Sequence, residues 1–199
     1  MFVLTIDQRG SRRSTDKVPS LIQALDGDPA LVRGPERTVG DEVQAVIEDP
    51  DAVVRVVLGV LRSGQWSVGV GAGPVDEPMP AEARAGSGAA FVHARHAVER
   101  AKSRQRPAPV AVDGVRPDRA AEAEAVLTLL ASVASRRTGG GWDAIDAWLA
   151  RGDGVTQEEI AADLGVSQQA VSQRLAAALW DEERAARPVV ARLLAEAES

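Results

Sequence analysis

Two groups of residues in this chain have types and spacings that could do chemistry. In the first, Ser167, Gln168, Gln169, Ser172, Gln173 and Arg174 lie on a predicted helix whose buried side would carry Val171 and Leu175, four residues apart. Amides and hydroxyls near a helix N-terminus can read base edges in the major groove, because glutamine bonds adenine through two atoms at once and serine serves several bases. In the second group, Asp7 closes a short apolar run, while Asp41 and Glu42 sit at the tip of a predicted hairpin. Carboxylates gathered at one spot suit Mg²⁺ or Mn²⁺ with a bound nucleotide. No residue stands out as catalytic on type and spacing alone.

The first group is positioned by its neighbours. Thr156 can cap a helix and Glu159, three residues on, can reach back to it, which is the reciprocal capping box. Ile160 and Leu164 stand one turn apart, Gly165 can take the left-handed conformation that ends the helix, Val166 can plug the turn, and Ser167 can cap the next helix. The pattern T-x-x-E-I-A-x-x-L-G-V-S-x-x-x-V-S resembles the helix-turn-helix of sigma factor region four and of many bacterial one-component regulators, and that resemblance implies DNA as a partner. Charge argues the other way. Between Gly152 and Trp180, Arg174 is the single base against Asp153, Glu158, Glu159 and Asp163, whereas phosphate neutralisation normally supplies much of DNA affinity. A helical hairpin kept for protein contact or dimerisation is the alternative.

With 199 residues, 45% of them hydrophobic, the chain can hold one large domain or two small ones with a buried core. No apolar run approaches the roughly 20 residues that cross a bilayer, and the N-terminus lacks the basic leader of a secretory signal. The absence of cysteine excludes disulfides and thiolate metal sites. A cytoplasmic protein with no membrane contact is expected. The net charge of −6 argues against a general nucleic-acid coat, so any DNA contact must be local.

Along the chain, Phe2 to Ile6 reads as a strand, and Val18, Leu21, Ile22 and Leu25 have helical spacing. Arg37 to Val39, Gly40-Asp41 and Val43 to Ile47 read as a hairpin, Ala52 to Leu61 as an apolar helix, and Trp66 to Val70 as a strand. After an irregular stretch from Gly71 to Gly88 come a helix through Phe91, Ala94, Val98 and Ala101 and a strand from Val110 to Val112. The order predicts an α+β fold over residues 1–113: a ferredoxin-like sheet, palm-like in its connections, with helices on one face. Residues 114–138 would hold a linking or dimerising helix, whose stripe of Val126, Leu129, Leu130 and Val133 suggests a homodimer. The run Gly139-Gly140-Gly141 reads as a break before an all-helical domain over 139–199, closed by a helix from Val189 to Ala197 with Pro188 at its start.

Strand one and the hairpin tip lie side by side in such a sheet, which brings Asp7 near Asp41 and Glu42. Here RTVGDEVQAVI resembles the GGDEF hairpin of diguanylate cyclases, WSVGVG the strand after their central helix, and HAVERAKSRQR the helix that follows. The resemblance implies that Asp7 and Asp41 or Glu42 hold Mg²⁺ with a nucleotide, and that Lys102 approaches the phosphates. Val39 and Val43 replace a glycine and the phenylalanine of that pattern, so the palm is degenerate and binding without turnover is expected. Over its length the chain also resembles the SatD family through DQRGSR, GAAFVHAR and the C-terminal helix-turn-helix. That resemblance implies a DNA-binding role and supplies no catalytic residues.

Weaker signals remain. Arg12, Arg13 and Lys17 either hold a nucleotide phosphate or form a polar loop; the basic run Arg100, Lys102, Arg104 and Arg106 is either a solvated helix terminus or a phosphate patch. Gly69, Gly71 and Gly73 read as edge-strand glycines, and His93 and His96 as surface residues. The reading that emerges is a DNA-binding regulatory protein with a ligand- or nucleotide-sensing N-terminal domain. The alternatives are a nucleotidyl-cyclase-like enzyme and a protein–protein interaction module built on an acidic helix-turn-helix.

Overall fold

The computed structural model describes residues 1–152 and 154–199; Asp153 and the side chain of Arg12 lie outside that description. By contact the chain forms two units, Met1–Ser132 with Arg187–Ser199, and Val133–Ala186. This division by contact groups the end of the last helix with the first unit, a grouping not drawn in the sequence division at 113 and 138. Among the described residues no helix is long and apolar enough to cross a membrane.

The first unit runs β1 (Phe2–Gln8), α1 (Val18–Leu25), β2 (Leu31–Arg37), β3 (Glu42–Ile47), α2 (Pro50–Leu61), β4 (Trp66–Ala72), α3 (Ala89–Ala101), β5 (Val110–Gly114) and α4 (Pro117–Ala134). Short 3₁₀ turns occupy Ser11–Arg13 and Ala83–Ala85. The five strands form one mixed sheet in the order β2-β3-β1-β4-β5. All neighbours are antiparallel except β4 and β5, so the fold is α+β and its first four strands follow the ferredoxin-like order.

Helices on one face alone were expected, and burial corrects this. Phe2, Val3, Leu4 and Ile6 in β1, Val43 to Ile47 in β3 and all of β4 are buried, so side chains on both faces of the sheet centre are covered. One cover is α3. Its Ala90, Phe91 and Ala94 cluster with Val3 of β1 and Val46 of β3. Gly69 and Gly71 are central rather than edge residues, since β4 lies between β1 and β5. A Cβ on Gly69 would collide with Val98 N and Ala94 O, and one on Gly71 with Ala90 O and Ala94 N. The glycines let the backbone of α3 lie directly on the strand.

The α4 stripe also differs from expectation. Ala123, Leu127, Leu130, Ala131 and Ala134 are buried, whereas Leu129 is 63% exposed. The buried side is rotated from the one drawn through large residues because alanines fill it. Leu130 is therefore buried, and Leu130→Glu is expected to destabilise the fold itself rather than a dimer seam. Glu124 on the same helix accepts from Val112 N at 2.8 Å and from Arg100 at 2.9 Å, and pairs with Arg106. Burial alone would raise its carboxyl, but the Val112 N–H and the two guanidinium groups outweigh it and hold the group below the ordinary 4.5. A depressed carboxyl stabilises the fold above its unfolded value, and that contribution is lost as pH falls through the folded one. Glu124→Gln should thus be less stable at neutral pH, with a flatter decline below about pH 4.5, in acid titrations followed by circular dichroism. Equal slopes for the two proteins would refute the link.

The second unit contains α5 (Gly139–Arg151), α6 (Gln157–Leu164) and α7 (Gln168–Ala177), and α8 (Trp180–Glu198) begins in it. The three glycines at 139–141 are no break. Thr138 caps α5 by accepting from Gly141 N, and the glycines form its first turn. Nor does a helix open at Pro188, which lies inside α8, where it forgoes one backbone hydrogen bond. The far end of α8 closes on the first unit through Arg116 N to Ala197 O at 3.1 Å and an ion pair between the Met1 amino group and Glu198.

Candidate nucleic-acid interface and a cationic cleft

In the first unit, the end of β1, the start of β4 and the end of α3 meet at one edge of the sheet. Asp7 lies directly opposite Glu42 on β3 and Ser67 on β4. Its Oδ2 is 2.9 Å from Lys102 Nζ, which also meets Glu99 at 2.8 Å. Burial pushes the Asp7 carboxyl up, Lys102 opposes this, and the charges of Asp41 and Glu42 add to the rise. Burial alone would lower Lys102, but Glu99 and Asp7 hold it above its ordinary value.

Of the residues expected at this edge, Asp7 and Lys102 line a cleft of about 790 Å³, together with Gln8, Arg9, Ser11, Arg13, Ser67 and Arg104. Asp41 and Glu42 stand beside it without lining it. Glu42 accepts from the Thr38 hydroxyl at 2.6 Å, and Asp41 accepts Gln8 N through its backbone carbonyl at 3.3 Å. Val39 is 82% exposed at the hairpin tip. Among the described residues no group of three or more histidines, cysteines and carboxylates is arranged to hold a metal ion. Sequence reasoning missed Arg9 as a partner of Arg13 and Arg104. The signal was topological: the loop after β1 and the segment after α3 reach the same edge. The phosphate role weighed for Arg12 rests on a side chain outside the described residues. His93, read as a surface residue, is instead half-buried, with Nδ1 3.3 Å from Asp113 on β5; His96 stands 3.7 Å from the same carboxylate.

In the second unit each local signal has a geometric counterpart. Thr156 Oγ1 accepts Glu159 N at 3.3 Å, and Glu159 accepts Thr156 N at 2.8 Å, which closes the capping box. The Thr156 N–H, its hydroxyl and then Arg151 hold the Glu159 carboxyl below the usual range. Gly165 ends α6 at φ 63°, in the left-handed region, and Ser167 caps α7 by accepting Ala170 N at 3.2 Å. Ile160, Val171 and Leu175 form a core with Ile145 and Trp180, against which Leu164 and Val166 pack.

Residues 147–180 match the family model described as Sigma-70, region 4. The segment is similar to a sigma-factor helix-turn-helix. Comparisons of the chain with curated proteins and with solved structures gave no match.

Within the matched segment, Ser167, Gln168, Gln169 and Gln173 are exposed, while Ser172 and Arg174 are half-buried. The Arg174 side chain lies along the first turn of α5, where a Cβ on Gly140 would stand 3.3 Å from its Nε. The local acidity is less severe than the residue count implied. Arg151, just before the counted stretch, binds Asp163 at 2.7 Å and stands 3.8 Å from Glu159. Asp153, counted with them, lies outside the described residues, and α7 itself carries no acid. The sequence also gave no warning of a buried ion pair under this motif. Arg137 Nη2 is 2.6 Å from Glu183 Oε2, with both side chains 2% exposed. Arg137 Nε also donates to Ala178 O at 2.8 Å, just past the end of α7, and its guanidinium lies over Trp142 and Trp180.

Proposed function

We propose that this protein is a DNA-binding regulator that reads base edges with the exposed face of α7, and that its first unit responds to a ligand. One observation carries the reading: Gln168, Gln169 and Gln173 face solvent on a helix without acids, inside a segment similar to Sigma-70 region 4. Glutamine amides at the N-terminal half of such a helix match the donor and acceptor pattern of adenine in the major groove. Ser167 and Ser172 would supply adaptable hydroxyl contacts, and Arg174 a phosphate or guanine contact. With so few bases on the motif, affinity should be modest and specificity should come from base contacts rather than charge.

Gln169→Ala and Gln173→Ala are expected to reduce sequence preference, each lost base contact costing about 1–3 kcal/mol, while non-specific binding barely changes. Selection of preferred duplexes from a random pool, followed by fluorescence anisotropy on the selected and on scrambled sequences, measures this. Folded protein with no affinity for any duplex at low salt would end the DNA reading in favour of a protein partner for the same helical hairpin.

A further inference from the structure

We propose that the cleft at the end of β1 binds a phosphorylated small molecule of nucleoside-diphosphate size, gripped by Arg9, Arg13 and Arg104. The inference rests on the reading that the first unit responds to a ligand, and it names that ligand's class. Most arginines of this acidic chain are answered by carboxylates: Arg37 by Asp16, Arg55 by Asp28, Arg106 by Glu124 and Arg151 by Asp163. Among the described residues Arg9, Arg13 and Arg104 have no carboxylate partner, yet all three line one concavity. Of the three, among the described residues, Arg9 alone makes a side-chain hydrogen bond, a 3.3 Å donation to the Gly64 carbonyl. Three uncompensated guanidinium groups around one cleft repel one another and favour an anion between them. Phosphate oxygens match the paired N–H groups of guanidinium better than a halide or a single carboxylate does.

The cationic loop is also held in place before any ligand arrives. Gln8 is buried to 2% exposure at the root of the cleft, and both ends of its amide are spent on the loop. Its Nε2 donates to Thr15 O at 2.8 Å and Ser14 Oγ at 3.0 Å, and its Oε1 accepts Lys17 N at 2.8 Å. Arg13 N closes on Gly10 O at 2.9 Å, and Ser14 Oγ donates to the same carbonyl at 3.2 Å. A loop ordered in advance loses less entropy on binding.

The remaining lining narrows the ligand further. Lys102 is already engaged by Asp7 and Glu99, so the pair presents a carboxylate able to accept from a hydroxyl or amino group rather than a further free cation. The buried Ser67 adds a small hydroxyl to the lining. A cleft near 790 Å³ is within the ordinary range for small-molecule sites and larger than a lone phosphate requires. A duplex backbone, being convex, fits a concavity with a carboxylate at its base poorly. The geometry therefore favours a compact oligophosphate bearing a hydroxylated group.

Isothermal titration calorimetry of the full chain with inorganic pyrophosphate, ADP and GDP tests this. Binding is expected for pyrophosphate and more tightly for at least one nucleoside diphosphate. Arg13→Gln and Arg104→Gln should each weaken it by about tenfold or more, because a charge-assisted hydrogen bond is lost. Arg95→Gln, on the exposed side of α3 and outside the cleft, should leave it unchanged. Melting curves establish that the exposed-site variants remain folded. No heat with any of the three probes at millimolar concentration overturns the proposal, as does equal weakening by Arg95→Gln, which would reduce the effect to net charge. A loss of duplex affinity in Arg13→Gln and Arg104→Gln without ligand would instead assign the cleft to nucleic-acid phosphates. Gln169→Ala with Gln173→Ala should keep pyrophosphate binding intact, so the DNA reading and the cleft can fail separately.

Discussion

Arg137→Leu should destabilise the helical unit by about 3–5 kcal/mol, the range for removing one partner of a buried ion pair. The cost comes from what stays behind. Glu183 is only 2% exposed and would lose the guanidinium at 2.6 Å, and Ala178 O would lose its donor. The guanidinium also stacks on Trp142, 5.0 Å from the ring centroid, and on Trp180 at 5.9 Å, so packing is lost with the charge. Trp142, Trp148 and Trp180 all belong to this unit, which makes urea denaturation followed by tryptophan fluorescence a direct measurement. Changing both partners, Arg137→Met with Glu183→Leu, should recover much of the loss, because no buried charge then remains. A single-variant cost below about 1 kcal/mol, the level of an exposed pair, would show that water reaches the site.

The second large effect is expected at the strand under α3. Gly71→Ala should destabilise the first unit by about 3 kcal/mol or more, at the upper end for overpacking, because the added methyl meets the backbone at Ala90 and Ala94 rather than a yielding side chain. Gly69→Ala should behave alike against Val98 and Ala94. Replacing glycine within a strand ordinarily gains about 0.5–1 kcal/mol, so the sign itself is diagnostic. Gly59→Ala is the control: it lies on the exposed side of α2 with open space where the Cβ would go, and should gain roughly that amount from helix propensity. Thermal melts of the three variants decide. Unchanged melting for Gly71→Ala would mean that α3 does not lie on β4 as closely as described.

These residues show which features the sequence could disclose. The capping box at Thr156 and Glu159, the left-handed Gly165 and the Ser167 cap are each made by residues within a turn of one another, so spacing alone identifies them. The strand and helix order of the first unit was legible for the same reason. Burial of both sheet faces was foreshadowed by adjacent apolar residues such as Phe2-Val3-Leu4 in β1, which point to opposite sides of the strand, although helices on one face had been expected. The buried side of α4 was misread because Ala123, Ala131 and Ala134 carry it, and alanine gives a weak hydrophobic signal. Arg9 and Arg104 are far apart in the chain, and nothing short of the sheet order brings them to one cleft. The Arg137–Glu183 pair was hidden likewise, since both residues read as ordinary solvated charge until they are found buried together.

The return of α8 to the first unit bears on the order of folding during synthesis. Residues 1–132 leave the ribosome first, but the unit they belong to also contains residues 187–199, where Ala197 O receives Arg116 N and Glu198 meets the amino group of Met1. The helix-turn-helix lies wholly inside that gap, and its contacts join residues near in sequence, which close quickly. The nascent chain should therefore assemble its helix-turn-helix while the first unit still waits for residues 187–199. Until residues 187–199 emerge, Gly114 at the end of β5, against which Ala197 finally rests, stays uncovered.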